Sequence, residues 1–213
     1  PHRFAQEYLG ISLRLFQQIL LVMMNISNYF MYLASRGQGK TFLTAIFCVV
    51  RCILYPNTQI CIASKNRSQG NEILEKIINL LLPNSPNLKL EIEDWIISSS
   101  MGYINFRNGS KIRVVTASDS SRGARANILI VDEFRLVNES VITTILRRFL
   151  SSEREPEFLH KSKYKNQREN YIERNKELYL SSAWLKSHWS WKKVQSFCTA
   201  LVDDTKNYFV CGL

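Results

Sequence analysis

Apolar residues recur along the chain in segments whose spacing alternates between that of a helix and that of a strand. The first part of the chain repeats them at helical intervals, and a later stretch is apolar nearly all round, so we expect that helix to be buried. Repetition of strand, loop and helix predicts an α/β fold with a mainly parallel sheet flanked by helices. In chain order the predicted elements are a helix over 1–27, a strand over 28–33, a helix over 41–54, a strand over 58–63 and a helix over 72–82 that Pro83 and Pro86 end.

The middle of the chain departs from this alternation. Two strand-like runs flank Asn108-Gly109, a dipeptide that suits a type I′ turn and therefore predicts a β-hairpin. After a polar loop, four aliphatic residues at 128–131 predict a strand that is buried on both faces. The last predicted elements are a helix over 138–150 capped by Asn138, a solvated helix or partly ordered loop over 151–176, a strand over 178–184, and a basic segment over 185–213 whose tryptophans either pack inward from an amphipathic helix or contact nucleic acid.

The stretch between the first predicted strand and the helix from 41 reads as a phosphate-binding loop. Gly39, Lys40 and Thr41 fit the pattern of glycine, four residues and then Gly-Lys-Ser/Thr, and Ala34 in place of the first glycine is the one departure. Gly37 and Gly39 would let the backbone approach a phosphate closely. Lys40 would contact the β- and γ-phosphates, and the Thr41 hydroxyl would hold Mg²⁺. The alternative is a chance Gly-Lys-Thr turn, against which the preceding strand and following helix argue.

A second motif follows the aliphatic strand, where Asp132 and Glu133 stand side by side. Open α/β sheets bind ligands at the carboxyl ends of their strands, and this pair would lie there. Asp132 would hold Mg²⁺, through water or directly, and Glu133 would orient and polarise the attacking water. Alternatively the two acids cap the helix that begins near Asn138, although the loop with Lys40 and the acidic pair each supply the other's missing half.

The composition adds a class of partner. The chain has 213 residues, enough for one domain with a real core, or for one domain with a small appendage. Lys and Arg number 28 against 18 Asp and Glu, so the net charge is +10. This balance suits a polyanion such as DNA or RNA, or an anionic membrane surface, although a soluble protein can also be basic without such a partner.

Cysteine spacing and hydropathy argue against several other classes. The five cysteines contain no C-x-x-C pair and no set that histidine completes, so we expect reduced, buried thiols in a cytosolic protein rather than a metal site. The longest apolar runs are too short or too interrupted to span a bilayer. We see no signal peptide, and because the chain begins with Pro-His-Arg we expect a fragment or a processed piece.

With both motifs in view, the chain resembles the ATPase domain of the large terminase subunit of tailed bacteriophages and herpesviruses, the motor that packs DNA into the capsid. The resemblance covers most of residues 13 to 185. The terminase loop carries an arginine and often lacks the first glycine, so Ala34 fits the family. The segments that carry the resemblance are Phe16-Gln17, 35–41 (Ser-Arg-Gly-Gln-Gly-Lys-Thr), 62–66 (Ile-Ala-Ser-Lys-Asn), 122–127 (Arg-Gly-Ala-Arg-Ala-Asn) leading into 131–133 (Val-Asp-Glu), and 180–183 (Leu-Ser-Ser-Ala).

The resemblance implies a RecA-like P-loop NTPase of the ASCE type, with an added β-hairpin, a small C-terminal lid and the glutamate on an added strand. Arg36 would reach the γ-phosphate, and Ser181 and Ser182 would sense the phosphate state and pass it to the lid. Gln17 sits where the family reads adenine, and its amide offers a donor and an acceptor to a base edge, but a solvent-facing helical glutamine fits this chain equally well. The nucleotide-binding residues would be Gln17, Ser35, Arg36, Gly37, Gln38, Gly39, Lys40 and Thr41.

The resemblance also implies cofactors and partners. ATP and Mg²⁺ would be the cofactors, and the partners would be double-stranded DNA, the portal protein and the small terminase subunit. We expect a homo-oligomeric ring when docked, a monomer when isolated, no membrane, and a location in the cytoplasm of the infected host cell and transiently on the procapsid. Residues 1–177 would form the ATPase core and 178–213 the coupling strand and lid, and the nuclease domain that usually follows in terminases would be absent.

Arg122 precedes the strand of Asp132 in a polar loop that should run over the surface. In ring-forming P-loop motors such an arginine is often presented to the ATP of the neighbouring subunit, so Arg122 is a candidate finger acting in trans. Pairing with Asp119 or contact with DNA is an equally good interpretation.

Two functions of other classes compete with the motor. A superfamily 2 helicase would need a second RecA-like domain with its own arginine motif, for which 213 residues leave no room. A non-catalytic nucleic-acid-binding relative would retain the basic surface, but Lys40, Thr41, Asp132 and Glu133 are all present. An assay of ATP hydrolysis separates this module from the motor.

Overall fold

The computed structural model describes the whole chain except residues 36, 117–124, 152, 172, 205 and 213 and the side chains of 165, 167, 168 and 170. Within this described part, eight strands form one sheet. The strands are β1 (Tyr29–Leu33), β2 (Gln59–Ser64), β3 (Ile92–Ile97), β4 (Gly102–Phe106), β5 (Lys111–Thr116), β6 (Ile128–Asp132), β7 (Lys176–Ser181) and β8 (Tyr208–Gly212).

Helices and short 3₁₀ turns connect these strands. No helix in the part of the chain just delimited is both long and apolar enough to cross a membrane. The α-helices are α1 (His2–Glu7), α2 (Leu15–Ile26), α3 (Lys40–Leu54), α4 (Arg67–Glu75), α5 (Leu82–Asn84), α6 (Pro86–Glu91), α7 (Glu139–Thr144), α8 (Arg168–Tyr171) and α9 (Trp189–Asp203). A π-helical turn (Lys76–Leu81) joins α4 to α5, and 3₁₀ turns cover Phe134–Leu136, Leu146–Phe149, Glu157–His160 and Ser162–Gln167.

The strand order is β3-β4-β5-β2-β6-β7-β1-β8. The six neighbouring strands β5, β2, β6, β7, β1 and β8 run parallel. At the other edge, β3, β4 and β5 form an antiparallel meander. β7 lies between β1 and β6, with Leu33 opposite Ser181 and Asp132 opposite Leu180. Because parallel strands end at the same edge of a sheet, the segments after β1, β6 and β7 meet there.

The core lies on both faces of the sheet, because alternate residues of each strand point to opposite faces. In β2, Ile60 and Ile62 pack toward α2, α3 and α4, and Cys61 and Ala63 pack toward the other face. This second face is covered by α7, the 3₁₀ turn after it and α9. The continuous aliphatic run of β6 follows from this arrangement, since all five of its residues are buried.

The hairpin of β4 and β5 is confirmed, but the predicted type I′ turn is wrong. That turn needs positive φ at both central residues. Here Gly109 has φ +80°, but the φ angle of Asn108 is not positive. The Gly109 N–H donates to the Phe106 carbonyl at 3.0 Å, which suits a three-residue loop in which glycine alone takes the left-handed conformation. Asn108 instead donates from Nδ2 to the carbonyl of Cys52 at the end of α3, at 2.8 Å.

Several predicted helices have different limits. The helix over 1–27 is two helices, because the chain turns at Gly10 (φ +72°) before α2 begins. α4 begins five residues earlier than predicted, and Pro83 and Pro86 lie in the first turns of α5 and α6 rather than ending a helix. The helix capped by Asn138 is α7, which ends at Thr144.

The end of the chain extends the sheet. β8 pairs in parallel with β1, and α9 packs on the sheet with Trp189 and Trp191 turned toward the core, as the amphipathic interpretation predicts. Trp184, which the same interpretation included, is exposed instead. The predicted division at 177/178 falls inside β7, and the lid stays a prediction. Cys48, Cys52 and Cys61 are buried as expected, whereas Cys211 is half-buried and Cys198 is exposed.

Candidate nucleotide site at the carboxyl edge of the sheet

A cavity of about 520 Å³ opens where β1, β6 and β7 end. That volume is in the usual range for a small-molecule site. Four segments line it: the loop after β1 with the start of α3, the acidic pair after β6, Ser182 after β7, and one face of α4. Among the predicted site residues its lining includes Ser35, Gly37, Gln38, Gly39, Lys40, Thr41, Asp132, Glu133 and Ser182.

The loop after β1 takes the conformation that its glycines allow. Gly39 is the N-cap of α3 with φ +72°, and Gly37 has φ +85°, so both occupy the left-handed region that favours glycine. The loop is closed by the bond from the Gln38 N–H to the Ser35 carbonyl at 3.4 Å. Ala34 is buried and continues the strand, donating its N–H to the Ser181 carbonyl at 2.9 Å. The start of α3 therefore presents its N–H groups and the positive end of its dipole to the cavity.

Lys40 forms an ion pair with Glu133 across this cavity, from Nζ to Oε1. Both side chains are largely buried, with 13% and 20% of their surface exposed. Burial by itself raises the pKa of Glu133, but the hydrogen bond and charge of Lys40, together with the hydrogen bond from Arg135, outweigh it and hold that pKa below its usual value. Glu133 is therefore an ionised carboxylate at neutral pH.

The other oxygen of Glu133, Oε2, gathers the donors of two further segments. Ser181 Oγ lies 3.2 Å away, Ser182 Oγ 3.3 Å and the Ser182 N–H 3.4 Å, and Arg135 Nε donates at 3.1 Å. Glu133 itself has φ +46°, an uncommon conformation for a residue with a side chain. This conformation turns the chain at the end of β6 into the 3₁₀ turn that starts at Phe134. The predicted coupling serines thus contact the predicted catalytic glutamate directly.

The expectation that the glutamate lies on an added strand is wrong. Glu133 follows Asp132 at the end of β6, and the strand inserted between β6 and β1 is β7. β7 supplies Ser181 and Ser182 instead. The physical reason is the strand order, which brings the ends of β6 and β7 side by side.

Asp132 and Thr41 are the residues that fit a Mg²⁺ ion. Both line the cavity and offer the hard oxygen ligands that Mg²⁺ prefers, and one or two protein oxygens with substrate phosphates are its usual set. Asp132 is 7% exposed, and this burial raises its pKa to about 6, against the lowering effect of the Lys40 charge. Burial disfavours the ionised form of Asp132, and the positive charge of a bound Mg²⁺ would favour it. Asp132 is therefore a suitable ligand for this cation.

Gln17 lies near Gly39 of the loop but is not among the described residues that line the cavity, so its contact with a base stays a prediction. The Gln17 side chain comes close to the loop: a methyl group added at Gly39 would lie 3.4 Å from the Nε2 atom of Gln17. Its Oε1 accepts from the Arg14 N–H at 3.0 Å, so the side chain reaches back to the start of α2. Of the predicted residues, Arg36 and Arg122 lie outside the described residues.

Several lining residues were not predicted as site residues. Gln69, Glu72 and Lys76 come from one face of α4 and its π-helical extension, and the Oε1 of Gln69 is buried with no hydrogen-bond partner. Arg135 stands between Glu133 and Trp184. The helical spacing of residues 69, 72 and 76 indicates that they share one face of α4. The sequence alone does not show that this face lines the cavity, because that depends on the fold.

Comparisons with known proteins place the chain in a family and a fold. The family model described as "Terminase large subunit, T4likevirus-type, N-terminal" matches residues 31–195. The terminase large subunit of Enterobacteria phage T3 is 33% identical over 115 residues, which is 52% of this chain and 20% of that protein. The large terminase ATPase domain of a Thermus phage has a TM-score of 0.54 at 15% identity, covering 95% of each chain. The large terminase of a thermophilic bacteriophage, in complex with ADP, has a TM-score of 0.60 at 16% identity, covering 92% of this chain and 44% of that one.

At such identities the solved structures establish the fold alone, and they confirm the predicted α/β, RecA-like class. This chain spans about a fifth of the T3 protein. The stretch matched by the family model contains the loop after β1, the acidic pair and the serines of β7. The chain therefore belongs to the family of T4-like terminase large subunits, as their N-terminal part.

Proposed function

We propose that this chain is the ATP-hydrolysing motor domain of a viral DNA-packaging terminase, which uses Mg-ATP hydrolysis to move double-stranded DNA into a procapsid. The observation that carries the proposal is the meeting of the phosphate loop, the acidic pair and the end of β7 in one cavity. Membership of the terminase family supports it, as does the ADP bound to the relative from a thermophilic phage.

The residues of the cavity divide the chemistry among them. Lys40 and the N–H groups at the start of α3 would bind the β- and γ-phosphates. Thr41 and Asp132 would hold Mg²⁺, which supplies charge neutralisation on the phosphoryl oxygens. Glu133, held ionised by its donors, would orient and polarise the attacking water. Gln17 would read the adenine, Arg36 would reach the γ-phosphate, and Ser181 and Ser182 would respond to the state of Glu133.

The ion pair of Lys40 and Glu133 sets a condition on this chemistry. Phosphate oxygens would compete with Glu133 for the Lys40 ammonium, whose three N–H donors would be divided between them. Nucleotide binding then leaves Glu133 to the donors on Oε2, which come from β7 and Arg135. Binding and the position of the base are therefore coupled through one lysine.

The family and the charge support a set of partners. A net charge of +10 suits double-stranded DNA, and the portal protein and small terminase subunit would be the protein partners. The motor would act as a homo-oligomeric ring when docked on the procapsid in the cytoplasm of the infected cell, and as a monomer when isolated. In such a ring, Arg122 is a candidate for the arginine that completes the neighbour's site.

The test is Mg²⁺-dependent hydrolysis of ATP by the purified chain. Lys40→Ala should weaken nucleotide binding, because the phosphates lose their cation. Lys89→Ala is the matched control, because Lys89 is exposed on α6 and its replacement removes the same charge away from the site. Nucleotide binding and hydrolysis that survive Lys40→Ala unchanged would contradict the proposal, and so would a wild-type chain that neither binds nor hydrolyses ATP.

A further inference from the structure

We propose that Arg135 is a positioning residue that fixes Glu133 and ties its position to Trp184, in the segment that follows β7. The inference rests on the proposed function, because it assumes that Glu133 is the base of an ATPase. It concerns a residue two positions beyond the acidic pair, on the 3₁₀ turn Phe134–Leu136.

One guanidinium makes both contacts. Arg135 Nε donates to Glu133 Oε2 at 3.1 Å, and its Cζ lies 4.2 Å from the centroid of the Trp184 ring. The Arg135 side chain is 15% exposed and lines the nucleotide cavity. A guanidinium is planar, so its edge can hydrogen bond to a carboxylate while its face stacks on an aromatic ring. Movement of Glu133 therefore displaces the surface on which Trp184 rests.

The division of the Glu133 oxygens gives Arg135 its particular role. Lys40 pairs with Oε1, and Arg135 donates to Oε2 with the two serines. When phosphates draw Lys40 away, Arg135 retains a positive charge against the carboxylate. The charge-assisted bond then keeps Glu133 ionised and holds its orientation toward the water.

Trp184 is suited to follow this change. It is 54% exposed, whereas Trp189 and Trp191 pack against the core. Because Trp184 has fewer packing contacts than a buried tryptophan, its position depends more strongly on the stack with Arg135. Trp184 lies two residues after Ser182 and five before α9, so a shift of its ring is transmitted along the chain toward that helix.

The experiment records tryptophan emission while Mg-ATP is added to the chain. Trp184→Phe, Arg135→Met and Arg135→Lys are compared with the wild type, and the difference between wild type and Trp184→Phe isolates Trp184 from the other tryptophans. Arg148→Met is the matched control, since Arg148 is exposed after α7. Displacement of a fluorescent ADP analogue gives the nucleotide affinity, steady-state hydrolysis gives kcat and KM, and thermal unfolding shows that each variant is folded.

We expect Mg-ATP to change the Trp184 signal in the wild type and in Arg148→Met. Arg135→Met should lose that change and lower kcat about tenfold or more, the usual effect of one lost charge-assisted hydrogen bond, while nucleotide affinity stays within about threefold. Arg135→Lys should recover part of the hydrolysis but not the Trp184 signal, because an ammonium has no flat face. If Arg135→Met does not fold, Arg135→Lys carries the same test.

Two results would overturn the inference while leaving the proposed function standing. One is a wild type that binds nucleotide with no change in the Trp184 signal. The other is Arg135→Met, or Arg135→Lys in its place, with the full Trp184 response and the wild-type kcat. A wild type that binds no nucleotide would instead refute the proposed function, and this inference with it.

Discussion

Lys176 offers a sharp test of the energetics of the sheet. It opens β7, is 4% exposed, and donates from Nζ to the Ser27 carbonyl at 2.7 Å. Burial lowers its pKa from 10.5 to about 7, the positive charge of Arg51 adds to that effect, and Glu173 opposes it. The lysine is therefore half neutral near pH 7 in the folded chain and fully charged in the unfolded chain.

The sign and size of the effect follow from that difference. Between about pH 7 and 10.5 the unfolded chain binds more protons at Lys176 than the folded chain, so the free energy of unfolding rises with pH in this window. Below pH 7 both states are protonated, and the full cost of charging, about 5 kcal/mol at about 1.4 kcal/mol per pKa unit, is present. Integrated from pH 7 to 9, the gain in stability from this one group is about 2 kcal/mol.

Lys176→Met removes this group and its titration. Urea unfolding at several pH values from 6 to 9 should show that the wild type gains about 2 kcal/mol more than the variant between pH 7 and 9. The prediction compares two proteins because the thiols of Cys48 and Cys52, whose pKa values burial raises in the folded chain, add the same pH dependence to both. The lost bond to Ser27 costs about 1 kcal/mol at every pH and leaves the slope unchanged.

Lys89→Met, at an exposed position, is the control for the loss of a lysine charge. Its stability should follow the wild-type pH dependence. Equal slopes for the wild type and Lys176→Met between pH 7 and 9 would refute the reasoning, because they would mean that Lys176 keeps its ordinary pKa in the folded chain.

The remaining predictions concern the site and its partners. Glu133→Gln should bind nucleotide but lose turnover, because an amide cannot polarise water; turnover at the wild-type rate would remove Glu133 from its role. Gly39→Ala should weaken nucleotide binding in the same displacement assay, since φ +72° strains a residue with a Cβ by about 1 kcal/mol. Affinity for duplex DNA should fall steeply with salt through counterion release, and a flat response would contradict phosphate contacts. Mixing Arg122→Ala with Glu133→Gln under assembling conditions should restore hydrolysis if Arg122 acts in trans; activity equal to the average of the two variants argues against it.

The sequence by itself was enough to identify the local features of the site. Gly37, Gly39, Lys40 and Thr41 lie within one loop, whose backbone needs are met by residues next to one another in the chain. The buried strand before Asp132 was predictable for the same reason, since burial on both faces leaves a run of aliphatic residues. The hairpin followed from its turn dipeptide, although the turn type depended on a contact with α3.

Only the tertiary structure decided which of these features touch. β3 and β8 are edge strands whose patterns are short and half exposed, so they carry little local signal. The contacts of Glu133 with Lys40 and Ser181 join residues 93 and 48 positions apart, and they exist because β7 enters the sheet between β1 and β6. The burial that lowers the pKa of Lys176 and the stack of Arg135 on Trp184 arise in the same way. A residue pattern specifies the local backbone, whereas the neighbours that set charge, orientation and chemistry are supplied by the strand order.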